Sequence, residues 1–220
     1  MLARIHDLLE IDAERFLKTH SFAPEWVAHN LRLAPFVVVR RGPISEHEIA
    51  IGVRGEKRNE RWAAACHPGL VNNILTPQNV LGRAVPASRM ATVPALRSLS
   101  ILAERWKDLD SPWGPGGSVG FELATGRPVV RLQSDLDVVI CARAQMTKNR
   151  ARHLRDSALG LPAVVDIRVE TPSCGFSLVE YANRAPTPIL LRVASGATLG
   201  ADPWDELGAT RATHAIAGGA

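Results

Sequence analysis

Two aspartates stand one residue apart at the start of an apolar run, Ser134-Asp135-Leu136-Asp137-Val138-Val139-Ile140. On a strand, residues two apart share a face. Asp135 and Asp137 therefore present two carboxylates side by side, with Leu136 turned into the core. Adjacent carboxylates repel, so a proton or a cation is needed to hold them together. Hard oxygen ligands suit magnesium, which takes one or two carboxylates and completes its shell with substrate phosphates and water. Upstream lies a glycine-rich turn, Trp113-Gly114-Pro115-Gly116-Gly117-Ser118, followed by a short helical pattern. Backbone N–H groups in such a turn can approach a phosphate closely, and a helix N-terminus favours negative charge. Downstream, Asp166 interrupts the apolar stretch Ala163-Val164-Val165-Asp166-Ile167. A carboxylate there needs a partner, because burying it unpaired is costly. Pairing with Arg168 is one solution, and joining a metal site as a third ligand beside Asp135 and Asp137 is the other. Turn, helix and Asp-x-Asp strand in that order describe metal-assisted phosphoryl transfer.

The elements that must position these groups follow from periodicity. Helical spacing predicts helices over 12–20, 24–33, 94–109 and 147–159, and a shorter one over 176–182. β-Branched or alternating runs predict strands over 36–40, 48–54, 163–170 and 188–194. The charged segment 56–62 reads as a solvated turn and helix start, with Lys57, Arg58 or Arg61 reaching an anionic ligand as the sharper alternative. Residues 66–92 read as loop-rich. These elements predict an α+β protein: a small N-terminal α/β domain over 1–88 and a mixed-sheet domain over 89–220, with proline and small residues at the joint. The 147–159 helix carries Lys148, Arg150, Arg152 and Arg155, which are either solvated or turned to a triphosphate. Trp113, beside the glycine turn, either walls a nucleotide pocket or packs against the second domain.

Composition narrows the function classes. The chain has 220 residues, 46% of them hydrophobic, which is enough to bury a core. A net charge of +4 fits an anionic substrate but offers no long basic block, and 5% aromatics offers no stacking platform for single strands, so no nucleic-acid partner is expected. Three cysteines far apart give no zinc spacing and no disulfide framework. No run is long enough to span a membrane, and the first residues turn charged before a signal-type apolar region develops, so a cytoplasmic protein is expected. Seven histidines show no paired metal spacing, and only His6 beside Asp7 and His153 on the basic helix draw notice. A Walker loop, a Rossmann fingerprint and a Gly-x-Ser-x-Gly elbow are all missing.

The arrangement of glycine turn, Asp135-Leu136-Asp137 and Asp166 resembles the nucleotidyltransferase superfamily, with a longer link between Ser118 and Asp135 that contains Arg127-Pro128. The wording from Trp113 to Gly126, together with Ser134-Asp135-Leu136-Asp137, is similar to the phosphoribosyl-dephospho-CoA transferases, the holo-acyl-carrier-protein synthases of malonate decarboxylase. His6-Asp7-Leu8-Leu9, Val37-Val38-Val39-Arg40-Arg41 and Val165-Asp166-Ile167-Arg168-Val169-Glu170-Thr171 support the likeness, which spans the chain to about Trp204. The resemblance implies a nucleotidyltransferase-like second domain and Mg2+ as cofactor. It implies catalytic roles for Asp135 and Asp137, metal binding by Asp135, Asp137 and Asp166, and phosphate binding by Gly117 and Ser118. The implied substrate is triphosphoribosyl-dephospho-CoA, and the implied acceptor is a serine of the acyl-carrier subunit of malonate decarboxylase, with pyrophosphate released. The first domain would then receive the carrier protein or the CoA arm. Two other readings stay open: a general nucleotidyltransferase using a nucleoside triphosphate, and a nucleotide-binding module without catalysis.

Overall fold

The computed structural model describes residues 3–42, 45, 47–55, 57, 59–183 and 188–204. The tail beyond Gly208, where the sequence suggests poor order, lies outside the described residues.

The first sheet contains β1 (Leu8–Ile11), β2 (Phe36–Val39), β3 (Ile49–Arg54), β4 (Arg61–Cys66) and β5 (Val71–Leu75) in the order β4-β3-β2-β1-β5, all antiparallel. One face packs under α1 (Ala13–Thr19) and α2 (Glu25–Leu33). Asp12 caps α1 by accepting from the Arg15 N–H at 3.0 Å, which satisfies one of the first-turn donors. The alternation of side chains is plain here. Leu9, Ile11, Val37, Ile51 and Val53 join Phe16, Val27 and Leu31 in one core. Leu8 turns the other way, into the core of the second half, and Phe36 and Val38 pack against it.

The second sheet runs β11-β10-β9-β8-β7-β6. Its strands are β6 (Trp113–Pro115), β7 (Leu136–Cys141), β8 (Val165–Glu170), β9 (Gly175–Ser177), β10 (Ile189–Val193) and β11 (Gly196–Gly200). β7 and β8 are its parallel pair and need a crossover, which α7 (Lys148–Ser157) supplies. The remaining helices are α3 (Pro77–Leu81), α4 (Ala87–Thr92), α5 (Pro94–Arg105), α6 (Gly117–Thr125) and α8 (Leu178–Ala182). Leu96, Leu99 and Leu102 on α5 are buried, and Trp106 at its end meets Trp113 edge-on at 4.9 Å. Trp113 is therefore a core residue. Together the two sheets and their helices make an α+β fold.

Three local expectations need correction. Residues 61–66 form β4, because six residues pair with β3 in unbroken antiparallel register from Ile49↔Cys66 to Arg54↔Arg61. That ladder overrides the helix preference of Ala63-Ala64-Ala65. The supposed loop over 66–92 contains β5, α3 and α4. Residues 175–177 form β9 before α8 begins, and β11 follows the strand expected to be last. No helix among the described residues is long and apolar enough to cross a membrane.

Candidate active site

The parallel register of β7 and β8 sets Asp137 directly against Asp166. Leu136 and Val138 are buried, so Asp137 projects from the opposite face. That face also carries Val139 and Cys141 on β7, and Arg168 and Glu170 on β8. Burial raises the Asp137 pKa above the ordinary carboxylate range. The charges of Asp135 and Asp166 raise it further, against a smaller opposing pull from Arg54 and Arg168. The three acids singled out in the sequence therefore share one electrostatic neighbourhood. Asp166 leans toward its strand neighbour, with its Oδ2 3.4 Å from the Arg168 Nη2. The pairing with Arg168 is thus present, and it leaves Asp166 close enough to Asp137 for their charges to interact.

The glycine turn closes over Asp137. The Gly116 N–H donates to the Asp137 carbonyl at 2.9 Å. Gly117 has φ +55°, and a Cβ there would stand 1.8 Å from the Asp137 Oδ2. Only glycine suits both the left-handed backbone and that approach. Gly117 and Ser118 open α6, so their N–H groups belong to the unsatisfied first turn of a helix and can face an anion. Ser118 makes no side-chain hydrogen bond among the described residues. It also does not line the neighbouring cavity, whereas Gly116 and Gly117 do.

That cavity, about 520 Å³, lies between the two sheets. Asp137, Val139 and Arg168 form one wall, and Phe36, Val38 and Arg54 belong to the other. Its size suits one small molecule. Among the described residues, no three His, Cys, Asp or Glu side chains stand close enough to enclose a metal ion unaided. The donor set is carboxylates open on one side, which could hold magnesium completed by substrate oxygens.

Two family models cover nearly the whole chain. The N-terminal domain of phosphoribosyl-dephospho-CoA transferase MdcG matches residues 4–77, and the C-terminal domain of the same transferase matches residues 83–203. The chain belongs to the phosphoribosyl-dephospho-CoA transferase family. Relatives bearing that name include a protein of Azotobacter vinelandii, 33% identical over 95% of this chain and 98% of its own length. Others come from Pseudomonas aeruginosa, 35% identical over 90% and 92%, and Pseudomonas syringae pv. tomato, 34% identical over 83% and 85%. No solved structure matches the chain. As a member of this family the protein is an enzyme of the transferase class.

Within this transferase the basic helix α7 is turned elsewhere. Arg150 pairs with Asp110 at 2.5 Å, Arg155 with Asp156, and Arg152 with Asn149. Lys148 donates to the Tyr181 carbonyl and sits 3.7 Å over that ring. None of the four lines the cavity. Instead the cavity draws its cations from the residue after β2 and from β3, β4 and β8: Arg40, Arg54, Arg61 and Arg168. Arg40 and Arg54 were hidden at the ends of strands, where a basic residue ordinarily means solvent.

The sequence also gave no prominence to Glu122. It is buried on α6, grips Arg89 of α4 through both oxygens at 2.9 and 2.7 Å, and accepts the Val130 N–H at 2.7 Å. Arg89 in turn donates to the Val130 carbonyl at 2.8 Å. The long link between α6 and β7, noted as a departure from the superfamily pattern, is pinned at Val130 by this pair.

Proposed function

We propose that the protein transfers the phosphoribosyl-dephospho-CoA group from triphosphoribosyl-dephospho-CoA to a serine of the acyl-carrier subunit of malonate decarboxylase. The serine oxygen bonds to the phosphorus that remains on the ribose. The bond from that phosphorus to pyrophosphate breaks, and the hydroxyl proton passes to a carboxylate of the site. One observation carries the reading: Asp137 lies beside Asp166 on a parallel strand pair, beneath the Gly116–Gly117 turn and facing a cavity of small-molecule size. The relatives' name supplies the substrate class.

Asp135 and Asp137, with Asp166 beside them, would hold Mg2+, which when bound neutralises the triphosphate and the departing pyrophosphate. The turn at Gly117 and Ser118 offers its N–H groups to the outer phosphates. With the reacting groups held in line between the two sheets, positioning and charge complementarity would supply most of the acceleration. Three thiols without disulfide partners fit the cytoplasmic setting proposed for this reaction.

Intact-mass spectrometry tests the proposal. The apo carrier subunit, incubated with the protein, Mg2+ and triphosphoribosyl-dephospho-CoA, should gain the mass of the phosphoribosyl-dephospho-CoA group. An unchanged carrier mass overturns the assignment. Transfer of a nucleotide from ATP in its place would move the protein to the general nucleotidyltransferases.

A further inference from the structure

Four guanidiniums line the cavity, those of Arg40, Arg54, Arg61 and Arg168, against one carboxylate, that of Asp137. Arg168 is partly neutralised by Asp166, but the three on the first sheet are not. Among the described residues, Arg40, Arg54 and Arg61 make no ion pair and their side chains donate no hydrogen bond. Arg54 and Arg61 are moreover direct partners across β3 and β4. Like charges opposed in that way destabilise a sheet. Burial and the nearby Arg61 both pull the Arg54 pKa below its ordinary value, while Asp137 and Asp135 act the other way. Arg54 is thus within electrostatic reach of the acidic pair from the facing sheet. Beside the two arginines the floor is small, with Gly52 opposite Ala63, and Phe36 and Phe121 add apolar surface. A cavity that combines excess positive charge with apolar walls suits a molecule that carries several phosphates and a flat or aliphatic body.

We propose that Arg54 and Arg61 clamp the polyphosphate chain of the substrate from the first sheet, facing the glycine turn and Asp137 across the cavity. The inference rests on the reading of a triphosphate substrate given above and extends it. It assigns the first sheet to the small molecule and leaves the carrier protein to approach from elsewhere. The forks of two adjacent arginines match phosphate oxygens bidentately, and the bound anion relieves their mutual repulsion.

Isothermal titration with inorganic tripolyphosphate and Mg2+ tests this on the whole chain. Arg54→Ala and Arg61→Ala are each expected to weaken binding about ten- to hundred-fold, the loss of a charge-assisted hydrogen-bond pair. Arg54→Lys keeps the charge and loses the fork, so its affinity should fall between those of the wild type and Arg54→Ala. Wild-type affinity should also drop more steeply with salt than that of either alanine variant. Each alanine variant removes a like-charge contact and should unfold no lower than the wild type. Alanine variants that bind tripolyphosphate within twofold of the wild type would overturn the clamp, as would an Arg54→Lys variant no tighter than Arg54→Ala. The measurement needs neither carrier nor transfer, so a chain that failed the mass test could still bind tripolyphosphate through these arginines, and the reverse.

Discussion

Asp137 is half-buried beside two other acids, and its raised pKa has a consequence for stability. A carboxyl that holds its proton more tightly when folded than when unfolded stabilises the fold below its unfolded pKa, about 3.9. That contribution disappears as pH rises through the folded value, so at neutral pH the ionised group costs stability. The site is strained by its own charges until a cation or substrate compensates them. Asp137→Asn removes the charge and keeps the shape. It should stabilise the free protein by about 0.5–2 kcal/mol at pH 7, seen as a higher urea midpoint, while carrier modification falls below detection. The stability gain should shrink as the pH is lowered toward 4. A variant that kept wild-type transfer would remove Asp137 from the reaction.

At the scale of elements, the Arg89–Glu122–Val130 tie joins α4, α6 and the link that leads into Asp135. Truncating Glu122 to alanine leaves the Arg89 guanidinium without its partner and the Val130 N–H buried without an acceptor. The expected cost is about 3 kcal/mol, read from chemical denaturation, with a loss of kcat as Asp135 loses its support. Asp137 and Asp166 were legible in the sequence because carboxylates in apolar strands demand an explanation, whereas Asp135, expected beside Asp137 on the same strand face, stands exposed just before β7 begins. Asp137 and Asp166 then met through nothing more than parallel register. The basic half was less legible: Arg61 stood out only as one of three charged candidates, and Arg40 and Arg54 not at all. Residues 61–66 carry three consecutive alanines and follow a charged run, so local preference pointed to a helix. Only the long-range ladder with β3 brings Arg61 opposite Arg54. Glu122 escaped notice for a related reason: a lone glutamate on a short helix ordinarily faces solvent, and only the docking of α4 makes it a buried partner. For the α7 arginines both alternatives stayed open in the sequence, since proximity to β7 does not say which way a crossover helix turns its charges, and none of them lines the cavity.

Across the whole molecule, the cavity exists only while the two sheets face each other, and Glu170 helps hold them. It sits on β8 of the second sheet, accepts from or shares a proton with the His6 Nε2 at 2.8 Å, and pairs with Arg41, both from the N-terminal segment that builds the first sheet. Burial would push the Glu170 pKa upward, but the hydrogen bonds and charges of His6 and Arg41 outweigh it and hold the carboxyl below its ordinary value. The sign is therefore opposite to that of Asp137. The tie contributes stability above the unfolded carboxyl pKa, about 4.3, and loses it as pH falls through the lower folded value. Glu170→Gln should lower stability by about 2 kcal/mol at pH 7. The gap between variant and wild type should close below pH 4, where the wild-type carboxylate is itself being protonated. If the tie also sets the spacing of the cavity walls, KM for the proposed triphosphoribosyl substrate should rise in the variant more than kcat falls, because Asp135 and Asp137 stay in place while Arg54 and Arg61 move relative to them. Denaturation midpoints between pH 3 and 8, with steady-state transfer at pH 7, check both parts. A midpoint gap that stayed constant down to pH 3 would mean that the loss comes from altered packing at Glu170 and that its charge contributes nothing to joining the sheets.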